Sequence, residues 1–146
     1  MKPFIYLDHT ADCKFQAFGK TLEEAFGNAA LAMTNFLVPI KEIKTPLSKR
    51  IAIDAPRLDT LLYLFLEEII FLMDTEGFLT AKVEGLKITE HERAKEDSKK
   101  FSLTATILGD NYSAYDTKGD IKAMTYSDME IKQTEEGWMV QVVVDI

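Results

Sequence analysis

The chain has 146 residues, 47 % hydrophobic and 28 % charged, with 24 Asp+Glu against 17 Lys+Arg for a formal net charge of −7. A chain of this length buries about two-thirds of its unfolded surface in one core, so a single domain over residues 1–146 is expected, and its composition excludes disordered and fibrous classes. The acidic balance argues against tight direct binding to nucleic acid, which needs Lys and Arg to displace condensed counterions; a cation or a basic protein is the more natural partner.

One cysteine, Cys13, excludes an internal disulfide, and with only two histidines no four-ligand Cys/His zinc site can be built within the chain. The opening MKPFIYLDHTAD turns polar after seven residues, too early for the apolar stretch of a signal peptide. The most apolar run, Leu61–Met73, is interrupted by Glu67 and Glu68 and falls short of the ~20 apolar residues of a membrane span. A soluble cytoplasmic protein with no membrane association is the expectation.

Phe4–Leu7 is a short apolar strand. In Cys13–Phe18 the residues Cys13, Phe15 and Ala17 alternate with Lys14 and Gln16, the period of a half-buried strand, which Gly19 closes. Thr21 with Glu24 is a capping-box signature. Behind it Leu22, Ala25, Phe26, Ala29, Met33, Phe36 and Leu37 form one face of a helix that Pro39 stops. Pro39–Ser48 reads as a loop and Arg50–Asp54 as a strand.

A second helix begins near Pro56, with Leu58, Leu61, Leu62, Phe65, Leu66, Ile69 and Leu72 as its apolar stripe, and Thr75-Glu76-Gly77 turns the chain. Phe78–Ile88 and Phe101–Leu108 are strands joined by the charged, solvated Glu90–Lys100, which contains His91. Gly109–Asp120 is a loop with Gly109, Asn111 and Gly119 as turn formers. Ile121–Lys132 and Trp138–Ile146 form a hairpin. Ile121, Ala123, Met129 and Ile131 share the apolar face of its first strand, and Trp138, Val140, Val142, Val144 and Ile146 that of its second. Alternation places Lys122 and Asp145 on the other face. The order β-β-α-β-α-β-β-β-β predicts an α+β two-layer sandwich, two amphipathic helices packed on one face of a mixed β-sheet.

There is no Gly-rich phosphate loop, no GxSxG and no HExxH, and Cys13 falls in the inward register of its strand. Two acidic places stand out. Asp8 and Asp12 bracket the polar stretch Asp8-His9-Thr10-Ala11-Asp12, where turn chemistry alone would account for both aspartates. Asp145 and the α-carboxylate of Ile146 put two anionic groups one residue apart on a strand whose apolar alternation runs through Ile146. Solvated chain-end carboxylates are the plain alternative. If the Asp12 loop lies beside that strand end, three carboxylates with no imidazole or thiolate suit a hard cation, Ca²⁺ or Mg²⁺, with Mn²⁺ also admissible.

Four segments together resemble one family, the archeases: Asp8-His9-Thr10-Ala11-Asp12; Phe18 to Ala30, FGKTLEEAFGNAA; Lys122-Ala123-Met124-Thr125-Tyr126-Ser127; and the ending Val143-Val144-Asp145-Ile146. The resemblance runs from end to end. It implies an accessory protein and not an enzyme: one that activates the GTP-dependent RNA ligase joining RNA 3′-phosphate or 2′,3′-cyclic phosphate ends to 5′-hydroxyl ends in tRNA splicing. In that role it promotes the ligase–guanylate intermediate and repeated turnover. A chaperone-like effect on a tRNA cytosine methyltransferase is the alternative it implies.

The resemblance further implies a divalent cation, Ca²⁺ foremost, held by Asp12, Asp145 and the Ile146 carboxylate. Asp8 and His9 are candidates to support those ligands from behind, and Lys122 is implied in activation, with a charge-relieving salt bridge as its structural alternative. Ser127 stands where some members have His, and Cys13 where an aliphatic residue is usual.

Overall fold

A computed structural model describes residues 1–8, 11–92 and 99–146. Its strands are β1 (Phe4–Leu7), β2 (Asp12–Gly19), β3 (Leu47–Ala55), β4 (Phe78–Glu90), β5 (Phe101–Asn111), β6 (Ala123–Met124), β7 (Glu130–Thr134) and β8 (Gly137–Asp145). The helices are α1 (Leu22–Leu37) and α2 (Leu58–Glu76). This is the α+β class, with the two helices where the sequence predicts them.

Both helix boundaries follow from local chemistry. Thr21 caps α1, its hydroxyl accepting from the Glu24 N–H at 3.1 Å, and the helix ends before Pro39, which cannot continue it. α2 ends on Gly77 in the left-handed region (φ 63°), whose N–H donates to the carbonyls of Leu72 and Met73. Pro56 lies just outside α2, which starts at Leu58.

The strand layer is divided. One sheet runs β1-β2-β8, and the far edge of β8 is shared by β7 and β6; the second runs β3-β5-β4. Among the described residues the strand pairings are antiparallel, so the mixed sheet of the sequence reading is corrected to two antiparallel ones. α1 packs on β2, β8 and β4 and so bridges the two sheets, while α2 covers β3, β4 and β5 and reaches β6 and β7. Ala25, Ala29, Ala30 and Ala32, all fully buried, keep α1 slim enough for this close approach, and Phe26, Met33 and Leu37 fill the space between. Phe65, Leu61, Leu62 and Leu66 do the same for α2.

Two sequence expectations are corrected. Ile121–Lys132 is not one strand: β6 and β7 are separated by residues 125–129, which leave the ladder and fold across β8. The strap is pinned by Thr125, whose hydroxyl donates to the Val143 carbonyl at 2.8 Å, and by Gln141, whose Nε2 donates to the Asp128 carbonyl at 2.8 Å. Gly109 is not a turn former but lies inside β5, opposite Thr80 at a β-bulge between Thr80 and Lys82. A Cβ there would stand 1.9 Å from the Leu79 carbonyl oxygen, so only glycine fits.

Candidate functional site

β8 positions the candidate residues. Its register against β2 runs without a break from Gly19↔Trp138 to Asp12↔Asp145, and on its other edge Ala123 of β6 is also paired with Asp145. Directly opposed residues in a ladder point to the same face, so Asp12, Asp145 and Ala123 form one row across three strands. The row behind it, Cys13, Val144 and Met124, is buried. The apolar row therefore holds the strand ends in place while the next residue along each strand faces outward.

Two carboxylates are thus brought directly opposite one another, Asp145 exposed and Asp12 half-buried. Opposed side chains in such a pair have Cβ atoms about 4.5–5.5 Å apart, and like charges there repel unless a cation lies between them. Ala123, the third member of the row, adds no bulk. Ala11 precedes Asp12 in the left-handed region (φ 63°), the turn that carries the chain into β2. Ile146 is partly exposed at the end of β8.

Lys122 does not share the face of Asp145 as strict alternation predicts. It precedes β6, Ala123 takes the position opposite Asp145, and Met124 is the buried residue. Lys122 instead joins the site through its backbone, its N–H donating to the Asp145 carbonyl at 2.8 Å. Its side chain is exposed, and among the described residues no ion pair joins it to Asp145. Asp8 is exposed, one residue past the last β1–β2 pair, Leu7↔Lys14. His9 lies outside the described residues, as do residues 93–98 of the charged connection.

Among the described residues no group of three or more His, Cys, Asp or Glu side chains is placed to hold a metal ion. The side-chain donors that the row supplies are the two carboxylates, and the third ligand of the sequence reading is a main-chain carboxylate. An all-oxygen donor set of this kind fits a hard divalent cation and no thiophilic metal.

Some functional neighbours are not legible in the sequence. Lys14, on the same face as Asp12, is held by Asp128 of the strap, Nζ to Oδ2 at 3.3 Å. Gln16 donates to Gln141 across the β2–β8 ladder at 2.9 Å. Tyr126 of the strap stacks on Tyr63 of α2, centroids 4.2 Å apart and planes 11° from parallel. The polar turn Ser127-Asp128 was the one local signal that the strand breaks here.

The nucleophile candidates are inert in this arrangement. Cys13 is buried, and desolvation pushes its thiol up to about 11, away from the reactive thiolate. His91 is exposed with Nε2 2.8 Å from Ser102 Oγ, but the Ser102 hydroxyl donates directly to Asp54 at 2.6 Å. The carboxylate thus holds the serine and does not orient the imidazole, which is not the geometry that activates a serine. Among the described residues no helix is long and apolar enough to cross a membrane.

Comparison with known proteins agrees over the whole chain. The family model described as "Archease protein family (MTH1598/TM1083)" matches residues 4–146. Protein archease of Methanosarcina barkeri is 40 % identical over 149 aligned positions, covering 99 % of this chain and 97 % of the relative. Protein archease of Pyrococcus furiosus is 34 % identical with 100 % of both covered.

The solution structure of Methanobacterium thermoautotrophicum protein 1598 superposes with a TM-score of 0.79 at 31 % identity, covering 100 % of each chain. The crystal structure of a Thermotoga maritima archease, described as a possible chaperone, shares the fold with a TM-score of 0.58 at 18 % identity over 96 % of this chain and 94 % of that one. With its family model, its relatives and its fold in agreement, the chain belongs to the archease family.

Proposed function

We infer that this archease is a metal-binding, non-enzymatic accessory protein of the cytoplasm that activates the GTP-dependent RNA ligase of tRNA splicing, promoting ligase guanylylation and multiple turnover. The observation that carries the reading is the direct opposition of Asp12 and Asp145 at one end of the five-stranded sheet. Asp12, Asp145 and the Ile146 carboxylate are the proposed ligands of a divalent cation, Ca²⁺ foremost and Mg²⁺ or Mn²⁺ otherwise. Such a cation, when bound, neutralises the carboxylate row and attracts phosphate oxygens.

The residues of the chain do the rest. The β8 ladder holds Asp145 fixed against β2 and β6, so its carboxylate is presented without a loop's freedom. Lys122, with its side chain exposed and its backbone N–H tied to the Asp145 carbonyl, is the proposed cation of this strand end, free to donate to a phosphate oxygen or to an acidic side chain of the ligase. Asp8 and His9 are proposed supports of the ligand loop. The net charge of −7 suits a protein that reaches RNA through its ligase and does not grip RNA itself.

The test is RNA joining with the ligase substoichiometric to RNA, in GTP and metal, with no addition, the native protein or Asp145→Ala. Calorimetric titration of Ca²⁺ into the isolated proteins runs in parallel. The native protein restores repeated turnover; Asp145→Ala loses it together with at least about tenfold in Ca²⁺ affinity. Unchanged affinity and stimulation in the variant would overturn the site. The alternative is a chaperone-like modulator of a tRNA cytosine methyltransferase; it draws support from the Thermotoga maritima relative, described as a possible chaperone. It predicts no gain in RNA joining from the native protein, and methyltransferase binding that withstands a chelator but weakens with salt.

A further inference from the structure

We propose that Tyr126, Tyr63 and Glu67 form a receptor for an arginine side chain presented by the protein that this archease assists. This rests on the accessory-protein reading for the identity of the partner and on geometry for the receptor. The Tyr126 ring is stacked on Tyr63, 4.2 Å between centroids and 11° between planes, yet the residue remains 50 % exposed. Tyr126 is covered by Tyr63 on one ring face and is half exposed as a residue, and its second face is the proposed docking face. Because the pair is already stacked, the surface is pre-organised and little rotamer freedom is lost when a ligand lies on it.

The surroundings select the ligand's charge. Glu67 stands one helical turn from Tyr63, the spacing at which side chains on a helix are neighbours. Burial first, and then the charges of Glu67 and Tyr126, push the Tyr63 hydroxyl above its ordinary value of 10.0, so the carboxylate's field reaches the ring. α2 carries Asp59, Glu67, Glu68, Asp74 and Glu76 and no basic residue, and Phe71, 53 % exposed, lies one further turn beyond Glu67. An aromatic face attracts a cation, and a carboxylate beside it completes the recognition of a planar guanidinium, which stacks and donates at once. A nucleobase would stack equally well, but its phosphate would be repelled by the Glu67 carboxylate one helical turn from Tyr63. A lysine ammonium, compact and strongly hydrated, gains less from a flat platform.

The position suits a protein partner. The Tyr63 hydroxyl lies 3.5 Å from the Met124 carbonyl oxygen, which ties the platform to β6, and the preceding residue of β6, Ala123, is opposite Asp145. The platform is thus anchored one residue along β6 from the position opposite Asp145.

The experiment is an NMR titration of the isotopically labelled native protein with N-acetyl-arginine amide, and separately with uridine monophosphate, reading the Tyr63 and Tyr126 ring resonances. Saturable shifts with the arginine compound are expected, with apparent affinity about fivefold weaker in Glu67→Gln. No saturable shift, or tighter binding of the nucleotide, overturns the receptor. In a second arm, binding of the RNA ligase is compared for native protein and Tyr126→Leu. An approximately fivefold weaker complex supports the arginine contact, and an unchanged one overturns the assignment to this partner. Failure of the native protein to stimulate the ligase would count against the accessory reading, whereas the arginine titration decides the receptor by itself.

Discussion

Asp145 takes its position from a backbone paired on both edges, while its side chain stands one residue away from the fully buried Val144. That separation of anchoring from exposure lets a carboxylate be both rigid and accessible. Gly109 shows the reverse case, a residue whose value lies in having no side chain. Adding one methyl group at Gly109→Ala forces it against the Leu79 carbonyl, 1.9 Å from the ideal Cβ, and backbone cannot give way as a flexible side chain can. The expected loss is about 1–3 kcal/mol in urea unfolding, with an unchanged far-ultraviolet spectrum. The inward register of Cys13 was readable from Cys13, Phe15 and Ala17 alone, because each of the three is buried in strict alternation. The close approach at Gly109 was not, since a glycine in sequence looks the same in a turn and under a bulge.

At the scale of elements, helices are the most local of structures and were the most legible. The α1 cap is a hydroxyl and an amide three residues apart, so Thr21→Ala is expected to cost about 1 kcal/mol of stability, read as a lower urea midpoint with an unchanged slope. The strap between β6 and β7 obeys different physics. Its Asp128 sits in the left-handed region (φ 52°), its carbonyl accepts from Gln141, and its carboxylate pairs with Lys14, 114 residues away in sequence. Such contacts are made only after β2 and β8 have paired, so the alternation of Ile121, Ala123, Met129 and Ile131 pointed to one continuous strand. The same shift moved Ala123, and not Lys122, into the row of Asp145.

For the molecule as a whole, packing against α1 shields two titratable groups, the buried Cys13 and the hydroxyl of Tyr6, a residue that is itself 42 % exposed. Tyr6 donates to the Ala32 carbonyl at 2.7 Å and is raised from 10.0 to about 12, chiefly by desolvation; burial raises Cys13 from 9.0 to about 11. Both are held protonated by the fold, so the stability each contributes is full below its unfolded value and lost as pH rises through its folded one. Thermal unfolding is therefore expected to begin falling above about pH 9 through Cys13 and to fall further between pH 10 and 12 through Tyr6. Tyr6→Phe should flatten the upper part of that decline; an unchanged profile would remove Tyr6 from it.

The sequence by itself determined the α+β class, the two helices with the Thr21 cap of the first and the Gly77 stop of the second, the inward rows of β2 and β8, and the acidic residues worth testing. These depend on periodicity and short-range hydrogen bonds, which neighbouring residues encode. Only the tertiary structure decided that Asp12 lies directly opposite Asp145, that the strands form two antiparallel sheets, and that Tyr126 stacks on Tyr63. Register between strands more than a hundred residues apart depends on the packing of the buried rows against the helices, and no local pattern carries it.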